Sequence, residues 1–467
     1  MNLWIEWYRC VRALRKGCSR TKTFRWMSVV LLGLSVRSDL LGVSSFVRAG
    51  FLKPSCYRAL LHLFHSDALK LDELLKLWVR LALCLFKPAT HEGYTVFVAD
   101  GIKAPREGRK MPGVKCLHQE SSNNSKPAYI MGHSFQAISV LVRGGAGQCF
   151  AVPLVSRICE GVVFSNRDGR TLLDKLAAMF LEITNISSTP SILVADAYYA
   201  SRKIILPLLD AGHHLVSRAK LNATAWTTPP PTRKRKRGRP RVYGEKAHLR
   251  NLFDTGVFES APSPVYGEKN VRIEYMHIDL LWRPVGQLVR FVLVKHPTRG
   301  NVILMTTLLS MHPLEALRLY SLRFKIETAF RSAAGTLGAY SYHFWMRGMT
   351  PLRSRSGNQY MHRKSDDYRN CVRRKIRAYH AWAQLACISQ GLLIHLGVNH
   401  RKEVWRKFRN WLRTMRPDLA PSELVVSIAL RHSLPEFLFA GDNQADLALF
   451  ILENADPDRL PDFRLAA

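Results

Sequence analysis

The sequence has few acidic residues for its length. Asp and Glu number 35 against 69 Lys and Arg, which leaves a formal net charge of +34 at pH 7. A charge of this size destabilises a compact fold by self-repulsion unless a polyanion offsets it. The composition therefore indicates nucleic acid as the first candidate partner and an anionic membrane surface as the second.

The nine cysteines include no CxxC pair. Cys149 and Cys159 are too far apart in sequence for a zinc knuckle, and the pair Cys116 and His118 has no second pair to complete a site. This pattern argues against a disulfide framework and against structural zinc. It indicates reduced thiols in a cytosolic protein.

Long uncharged apolar runs are also missing, since no stretch reaches the roughly twenty residues that span a bilayer. The apolar run MSVVLLGL near the N-terminus is short, and Arg37 and Asp39 follow it without a clear small-residue cleavage site. We therefore expect neither a membrane span nor a signal peptide. The expected location is the cytoplasm, in association with the nucleoid.

With 467 residues, 47% of them hydrophobic, the chain is long enough for two or three domains and is not mainly disordered. Residues 1–88 show the apolar spacing of helices throughout. They are equally compatible with a DNA-binding head of helix-turn-helix type and with a helical bundle that packs on the next domain.

A mixed α/β pattern follows. Apolar runs at 94–99, 133–142 and 148–157 predict three successive strands, after which helices and strands alternate. The fold class that this order predicts is α/β, with a mixed sheet that carries helices on both faces. The predicted domains are 1–88 (helical), 89–220 (first part of the core), 221–298 (β-rich insertion with a basic arm at 232–246), 299–346 (completion of the core) and 347–467 (basic and helical).

The core is expected to end in one long helix from Ser310 to Gly335. Tyr320, Arg323 and Glu327 are spaced by three and four residues, so they would share one face of that helix. Arg323 is suited either to a bidentate phosphate contact or to neutralising an acid, and Tyr320 either to a phosphate contact or to the core.

Three carboxylates suggest the chemistry. Asp100 ends the apolar run YTVFVAD, Asp196 follows the run SILVA, and Glu327 lies on the helix after a third apolar run. Each of them alone is compatible with a turn acid or a surface residue. Together they provide what two Mg²⁺ or Mn²⁺ ions need for phosphoryl transfer, with Asp100 bridging both ions, Asp196 holding one and Glu327 the other.

The Tyr320-x2-Arg323-x3-Glu327 spacing and the two strand-end aspartates resemble the Y-R-E-K signature of DDE transposases from bacterial insertion sequences, of the insertion-sequence-four type. The resemblance covers roughly residues 90 to 345, including a β-strand insertion before the catalytic helix. It fails at the signature Lys, where this chain has Ala334. Arg331, one turn after Glu327, could take over the phosphate contact of that Lys.

The resemblance implies an RNase H-like core that cleaves DNA at transposon ends and joins the 3′-OH to target DNA. It also implies a homodimer on DNA, with the terminal inverted repeats and the target as partners. Some relatives pass through a hairpin in which a Trp of the insertion stabilises a flipped base. Trp226 and Trp282 are the candidates here, with core packing as the alternative for Trp282.

The basic arm is a further candidate DNA contact, suited to phosphate binding or to an A·T-rich minor groove, with a solvated linker as the alternative. Its candidate residues are Arg235, Lys236, Arg237, Arg239 and Arg241. The basic segment 401–413 predicts an amphipathic helix that either binds DNA or packs on the core. Two rival functions remain open: a nuclease without strand transfer, and a transposase-derived DNA-binding protein without activity, which Ala334 would favour.

Overall fold

The computed structural model describes residues 2–119, 127–231, 241–439 and 446–460. Within them the fold is mixed α/β, with a large mixed sheet, flanking helices and a helical C-terminal region, as the sequence predicts for an RNase H-like protein. The chain forms two compact units, one of Met1–Ala89, Gly101–Gly169 and Glu327–Ala467, the other of Thr90–Asp100 and Arg170–Ile326.

The helices of the described residues are α1 (Leu3–Ala13), α2 (Thr21–Val36), α3 (Ser44–Ala49), α4 (Cys56–His65), α5 (Leu71–Leu85), α6 (Leu172–Ser187), α7 (Arg202–Asp210), α8 (Leu252–Thr255), α9 (Pro313–Leu322), α10 (Lys325–Ser332), α11 (Asp366–Asn399), α12 (Arg401–Phe408), α13 (Glu423–Phe439) and α14 (Asp446–Asn454).

The strands of the described residues are β1 (Lys87–Pro88), β2 (Thr90–His91), β3 (Tyr94–Pro105), β4 (Lys115–His118), β5 (Tyr129–Arg143), β6 (Cys149–Ile158), β7 (Val162–Val163), β8 (Ser191–Ala195), β9 (His214–Arg218), β10 (Thr224–Trp226), β11 (Lys246–His248), β12 (Glu259–Pro262), β13 (Arg272–Trp282), β14 (Gln287–His296), β15 (Gly300–Thr306) and β16 (Gln359–Tyr360).

The second unit is built on strands in the order β3-β8-β9-β15-β14-β13-β10-β11. The first three run parallel, and β15, β14 and β13 continue the sheet antiparallel. All five residues of β8 are buried, as expected for a parallel strand whose two faces are both covered. Helix α9 packs against β8, β9 and β15, and this contact brings its carboxyl-terminal turn towards the ends of the parallel strands.

The first unit has the helix α11 at its centre. This helix packs against α2, α4, α5, α13 and β6. Among the described residues it alone is long and apolar enough to cross a membrane, but 94% of its most apolar window is buried inside the protein. Such burial is typical of a core helix. Close packing depends on Gly391, because a Cβ there would lie 2.2 Å from the Cζ2 atom of Trp78.

Two sequence predictions are corrected. The single helix Ser310–Gly335 is wrong, because α9 ends at Leu322, α10 begins at Lys325, and a π-helical turn follows at Ala333–Leu337. The predicted helix 401–413 ends at Phe408, since Arg409 adopts a left-handed conformation with φ of 40°.

The buried His133 gives the first unit a pH-dependent stability. Its Nε2 atom lies 2.9 Å from the Pro112 carbonyl oxygen, and its Nδ1 atom accepts a hydrogen bond of 2.8 Å from the Tyr342 hydroxyl. Burial, and then the charge of Arg106, lowers the pKa of His133 to about 3. The ring is therefore neutral in the folded protein over a pH range in which an unfolded histidine binds a proton.

Because the unfolded chain binds the extra proton, the free energy of unfolding should fall as the pH drops below about 6.5, by up to ~1.4 kcal/mol per pH unit for this histidine. Urea titrations between about pH 7 and pH 5 test this. His133→Gln should show a shallower pH dependence than the wild type, whereas replacement of the exposed His62 should leave the dependence unchanged. Equal slopes in all three proteins would contradict this explanation.

Candidate active site

The two aspartates follow equivalent positions of neighbouring parallel strands. Val98 of β3 is paired with Val194 of β8, so Asp100 and Asp196, each two residues further on, lie at equivalent positions: Asp196 directly follows β8, whereas Asp100 lies within β3, which continues to Pro105. Neighbouring strands lie about 4.8 Å apart, which brings the two carboxylates side by side. Both aspartates are half-buried. The structure thus brings Asp100 and Asp196 together, but the predicted strand end at Asp100 is wrong because β3 continues past it.

Two side chains from the end of α9 hold these carboxylates. The Tyr320 hydroxyl donates a hydrogen bond of 3.2 Å to Asp196 Oδ1. The Arg323 guanidinium donates one of 2.8 Å to Asp100 Oδ2, with about a fifth of each side chain exposed. The Ser217 hydroxyl donates to the backbone oxygen of Asp196 at 2.9 Å. Tyr320 and Arg323 are therefore neither core nor surface residues but direct partners of the two acids.

The position of Arg323 depends on the break between α9 and α10. At the break the backbone bonds tighten from i→i−4 to i→i−3: the Arg323 amide donates to the Tyr320 carbonyl, and the Ile326 amide donates to the Arg323 carbonyl. The expected common face of Tyr320, Arg323 and Glu327 on one continuous helix is therefore interrupted after Arg323.

Burial and, second, the negative charge of Asp196 raise the pKa of Tyr320 to about 12. The hydroxyl therefore keeps its proton at neutral pH and acts as a hydrogen-bond donor to the carboxylate. We expect Tyr320→Phe to lower the rate of the DNA cleavage that the resemblance implies by about tenfold, because a hydrogen bond to a charged group is worth ~1.5–3 kcal/mol and water replaces part of it. Single-turnover cleavage rates measure the effect.

Tyr94→Phe is the matched control, since Tyr94 is a half-buried tyrosine at the opposite end of β3. A Tyr94 variant as slow as the Tyr320 variant would show that the loss is not local to the acids.

The third predicted acid, Glu327, is exposed and lies near the start of α10, at the first residue of the last segment of the first unit. Arg331 and Ala334 are likewise exposed. Arg241 is exposed, and its guanidinium donates to the Gly244 carbonyl at 2.9 Å. The other predicted arm residues lie outside the described part of the chain: Arg235, Lys236, Arg237 and Arg239.

A groove of about 450 Å³ in the second unit begins directly after Asp196. Ala197 and Ala200 line one part of it, and the half-buried Trp226 and Trp282 line another. Arg283 lies over the Trp226 ring, 6.0 Å from the ring centroid. The two tryptophans proposed from the sequence thus line the same groove.

Arg218 is a further charged residue beside the two acids, and it was not among the residues predicted from the sequence. Ala195 of β8 is paired with Ser217 of β9, so Asp196 and Arg218 are neighbours at the same sheet edge. The positive charge of Arg218 lowers the pKa of Tyr320, but burial and the charge of Asp196 raise this pKa by more. Arg218 ends the apolar run HLVSR of β9, so the pattern that identified Asp196 also predicts Arg218 at this edge of the sheet.

The donor set suits a hard divalent cation. Two carboxylates on adjacent strands, Asp100 within β3 and Asp196 directly after β8, supply the oxygen ligands that Mg²⁺ and Mn²⁺ prefer. The Arg323 guanidinium bonds to Asp100 and the Tyr320 hydroxyl bonds to Asp196. These hydrogen bonds fix the orientation of the two carboxylates, as hydrogen bonds to metal ligands commonly do. The residues present therefore fit a divalent metal site.

A family model described as DDE superfamily endonuclease matches residues 13–255, more than half of the chain. The match includes Asp100 and Asp196 and ends before Tyr320. No curated protein matches the sequence. Endonucleases of this type act on DNA and generally use divalent metals. With its α/β fold and its pair of aspartates on adjacent parallel strands, the chain belongs to the DDE superfamily of endonucleases, enzymes of the nuclease and transposase type.

Proposed function

We propose that this protein is a DNA transposase of the insertion-sequence-four type, which cuts at the ends of its own element and joins them to target DNA. The observation that carries the proposal is the double contact of Tyr320 with Asp196 and of Arg323 with Asp100. These contacts link Tyr320 and Arg323, two residues of the Y-R-E spacing, to the two aspartates that the family match includes. The match itself ends at residue 255, before Tyr320 and Arg323.

In the proposed site Asp100, Asp196 and Glu327 would hold the divalent ions. Bound Mg²⁺ or Mn²⁺ ions supply activation of the attacking oxygen and stabilisation of the leaving oxygen. Tyr320 orients the Asp196 carboxylate through its hydroxyl proton. Arg323 pairs with Asp100, and its guanidinium would also contact a DNA phosphate.

DNA contacts outside the acids are proposed for two regions. Arg331 and the arm residues Arg235, Lys236, Arg237, Arg239 and Arg241 would bind phosphates, and their contribution should fall with rising salt. The groove between Trp226 and Trp282 would hold an unstacked base next to Asp196, since aromatic faces stack on bases at about 1–3 kcal/mol each. A homodimer that pairs two DNA ends in the bacterial cytoplasm completes the proposal.

The second candidate function is that of a nuclease without strand transfer or of an inactive DNA-binding protein. One residue, Ala334, favours it. Ala334 stands where the signature Lys is expected, and its exposed methyl group cannot contact a phosphate through a charge. Loss of that contact would weaken the hold on the DNA end that strand transfer requires.

A plasmid assay separates the three functions. The plasmid carries the inverted repeats that flank the gene in its source genome, and it is incubated with the protein and Mn²⁺. Excision with joined products supports the transposase, and nicks or linear DNA without joining support the nuclease. A mobility shift without any cutting supports the binding protein and overturns the proposal.

A further inference from the structure

Two irregular segments of the first unit pair their backbones, the one between β3 and β4 and the one before β16. The Met346 amide donates to the Lys110 carbonyl at 2.9 Å, and the Lys110 ammonium donates to the Arg347 carbonyl at 3.5 Å. The Leu352 amide donates to the Arg109 carbonyl at 2.8 Å. These bonds place the cations of the first segment beside the residues that flank Met346 and Leu352 in the second.

A hydrophobic cluster holds the second segment in place. Met346 is 6% exposed and belongs to this cluster, and Leu352 packs against it. Their chain neighbours Trp345, Arg347 and Arg353 are exposed. Buried apolar side chains thus anchor the segment, and the side chains next to them in the chain face solvent. Cations on such an anchored segment lose less entropy on binding a partner than cations on a loose tail would.

The two segments carry positive charge that no acid within them offsets. Residues 109–118 and 345–365 together contain eight Lys and Arg and no Asp or Glu. Within the described parts of the chain, Arg109, Arg347 and Arg353 form no ion pair with a carboxylate. Exposed arginines elsewhere in this unit do form such pairs, among them Arg48–Asp39 and Arg406–Glu403. Unpaired like charges on one surface repel one another, and a polyanion removes that repulsion.

Trp345 lies open among these cations. It is 62% exposed, although tryptophan is on average largely buried in proteins. At Gly108 a Cβ would lie 3.0 Å from the indole nitrogen, so one edge of the ring rests against bare backbone next to Arg109. Proteins that bind single-stranded nucleic acid combine cations for the phosphates with aromatic rings on which bases stack. Both features occur here side by side.

We propose that Arg109, Lys110, Trp345, Arg347 and Arg353 form a binding surface for single-stranded DNA. The four cations contact phosphates, and the Trp345 ring stacks on an unpaired base. Single strands are favoured over duplex because the bases of a duplex are already stacked and paired. The choice of DNA as the polyanion rests on the proposed function. The binding itself requires neither the metal ions nor the acids of the candidate active site.

Removal of the three arginines tests the phosphate contacts. Full-length protein without divalent metal is titrated with fluorescent oligothymidine at several salt concentrations, and the anisotropy gives the association constant K. Each lost phosphate contact on a single strand lowers the slope of log K against log salt by about 0.7 in magnitude. The triple variant Arg109→Ala, Arg347→Ala, Arg353→Ala should therefore lower the magnitude of this slope by about 2.

A second triple variant removes the same charge from scattered exposed positions. It carries Arg12→Ala on α1, Arg80→Ala on α5 and Lys87→Ala on β1. Because the net charge falls equally in the two variants, a general effect of charge would appear in both. We expect this control to change the salt slope by less than about 0.5.

Variants at Trp345 test the stacking. Trp345→Leu keeps an apolar side chain but removes the ring, so it should weaken oligothymidine binding by at least about fivefold and change the binding of a mixed-sequence duplex by less than about twofold. Trp345→Phe keeps a smaller ring and should recover part of the affinity. Both variants should keep the wild-type salt slope, because the indole contacts a base and not a phosphate.

A salt slope in the arginine variant equal to that of the scattered control would overturn the proposal. So would Trp345→Leu protein that binds oligothymidine as the wild type does, or that loses oligothymidine and duplex equally, which would indicate a duplex-binding surface. Normal oligothymidine binding by the arginine variant, together with lost binding to phosphatidylserine vesicles, would assign the surface to a membrane instead.

These measurements contain no metal ion, so they are separate from the plasmid assay. Failure of cutting and joining in that assay, with oligothymidine binding as expected, overturns the proposed function alone. Wild-type protein that binds no DNA overturns both proposals.

Discussion

Replacing Asp196 with asparagine is expected to lower the rate of DNA cleavage by at least a thousandfold and to leave DNA binding nearly unchanged. The amide removes one negative charge from the pair of carboxylates on adjacent parallel strands, and a charge that stabilises a phosphoryl-transfer transition state through a metal is worth several kcal/mol. At ~1.4 kcal/mol per factor of ten, a loss of about 4 kcal/mol gives this factor. DNA binding persists because it depends mainly on Lys and Arg.

The measurement is single-turnover cleavage in Mn²⁺, with mobility shifts on the same DNA. Asp210→Asn provides the matched control, because Asp210 is an exposed aspartate at the end of α7 in the same unit. It should cleave at the wild-type rate. Cleavage within about tenfold of wild type by Asp196→Asn would remove this aspartate from the catalytic site.

Arg323→Ala is expected to lower the cleavage rate by about 10–100-fold. Arg323 donates its 2.8 Å hydrogen bond to Asp100 from a side chain that is only 18% exposed. A hydrogen bond between charged groups in such surroundings is worth ~1.5–3 kcal/mol, and its loss leaves the Asp100 carboxylate without one of its orienting contacts. Arg323→Lys should recover only part of the rate, because an ammonium lacks the planar fork of a guanidinium.

Arg318 offers a control on the same helix. It pairs with Glu315 one turn away, and 38% of its side chain is exposed. An exposed pair of this kind contributes ~0–1 kcal/mol, so Arg318→Ala should cleave within about fivefold of wild type. Equal losses in the two variants would mean that the positive charge of α9, rather than the Asp100 contact, supports cleavage.

Much of the sheet could be predicted from the sequence because its strands are either fully buried or regularly alternating. SILVA has five buried residues, and such apolar runs between turn residues predict parallel core strands. Strand β13 shows the alternation of an antiparallel strand, and its pairing with β14 extends from Glu274–Lys295 to Trp282–Gln287, whereas β14 is continuously buried over residues 291–294. Local patterns of this kind are strong enough to fix the elements.

The break between α9 and α10 could not be predicted because nothing in LRLYSLRFKIETAF interrupts helical propensity. No Gly or Pro occurs there, and the break is a shift of backbone bonding at Arg323 that its tertiary surroundings select. The prediction of one face for Tyr320, Arg323 and Glu327 assumed an unbroken helix.

The contacts between the two aspartates and α9 could be predicted only in part from the sequence. Spacing identified Tyr320 and Arg323, but only the fold shows that the tyrosine contacts Asp196 and the arginine contacts Asp100. The buried hydrogen bond between His395 and Glu6 could not be predicted, because 389 positions separate the two residues in the sequence and only long-range packing brings them together.

Cleavage of the protein backbone by hydroxyl radicals from bound Fe²⁺ tests most directly whether the three proposed acids share metal ions. Iron replaces Mg²⁺ at carboxylate sites, and the radicals it generates cut only the nearby chain. We predict cuts close to residues 100, 196 and 327, suppressed together by excess Mg²⁺ and lost together in Asp196→Asn. Cuts near the two aspartates with none near Glu327 would contradict the proposed three-carboxylate site.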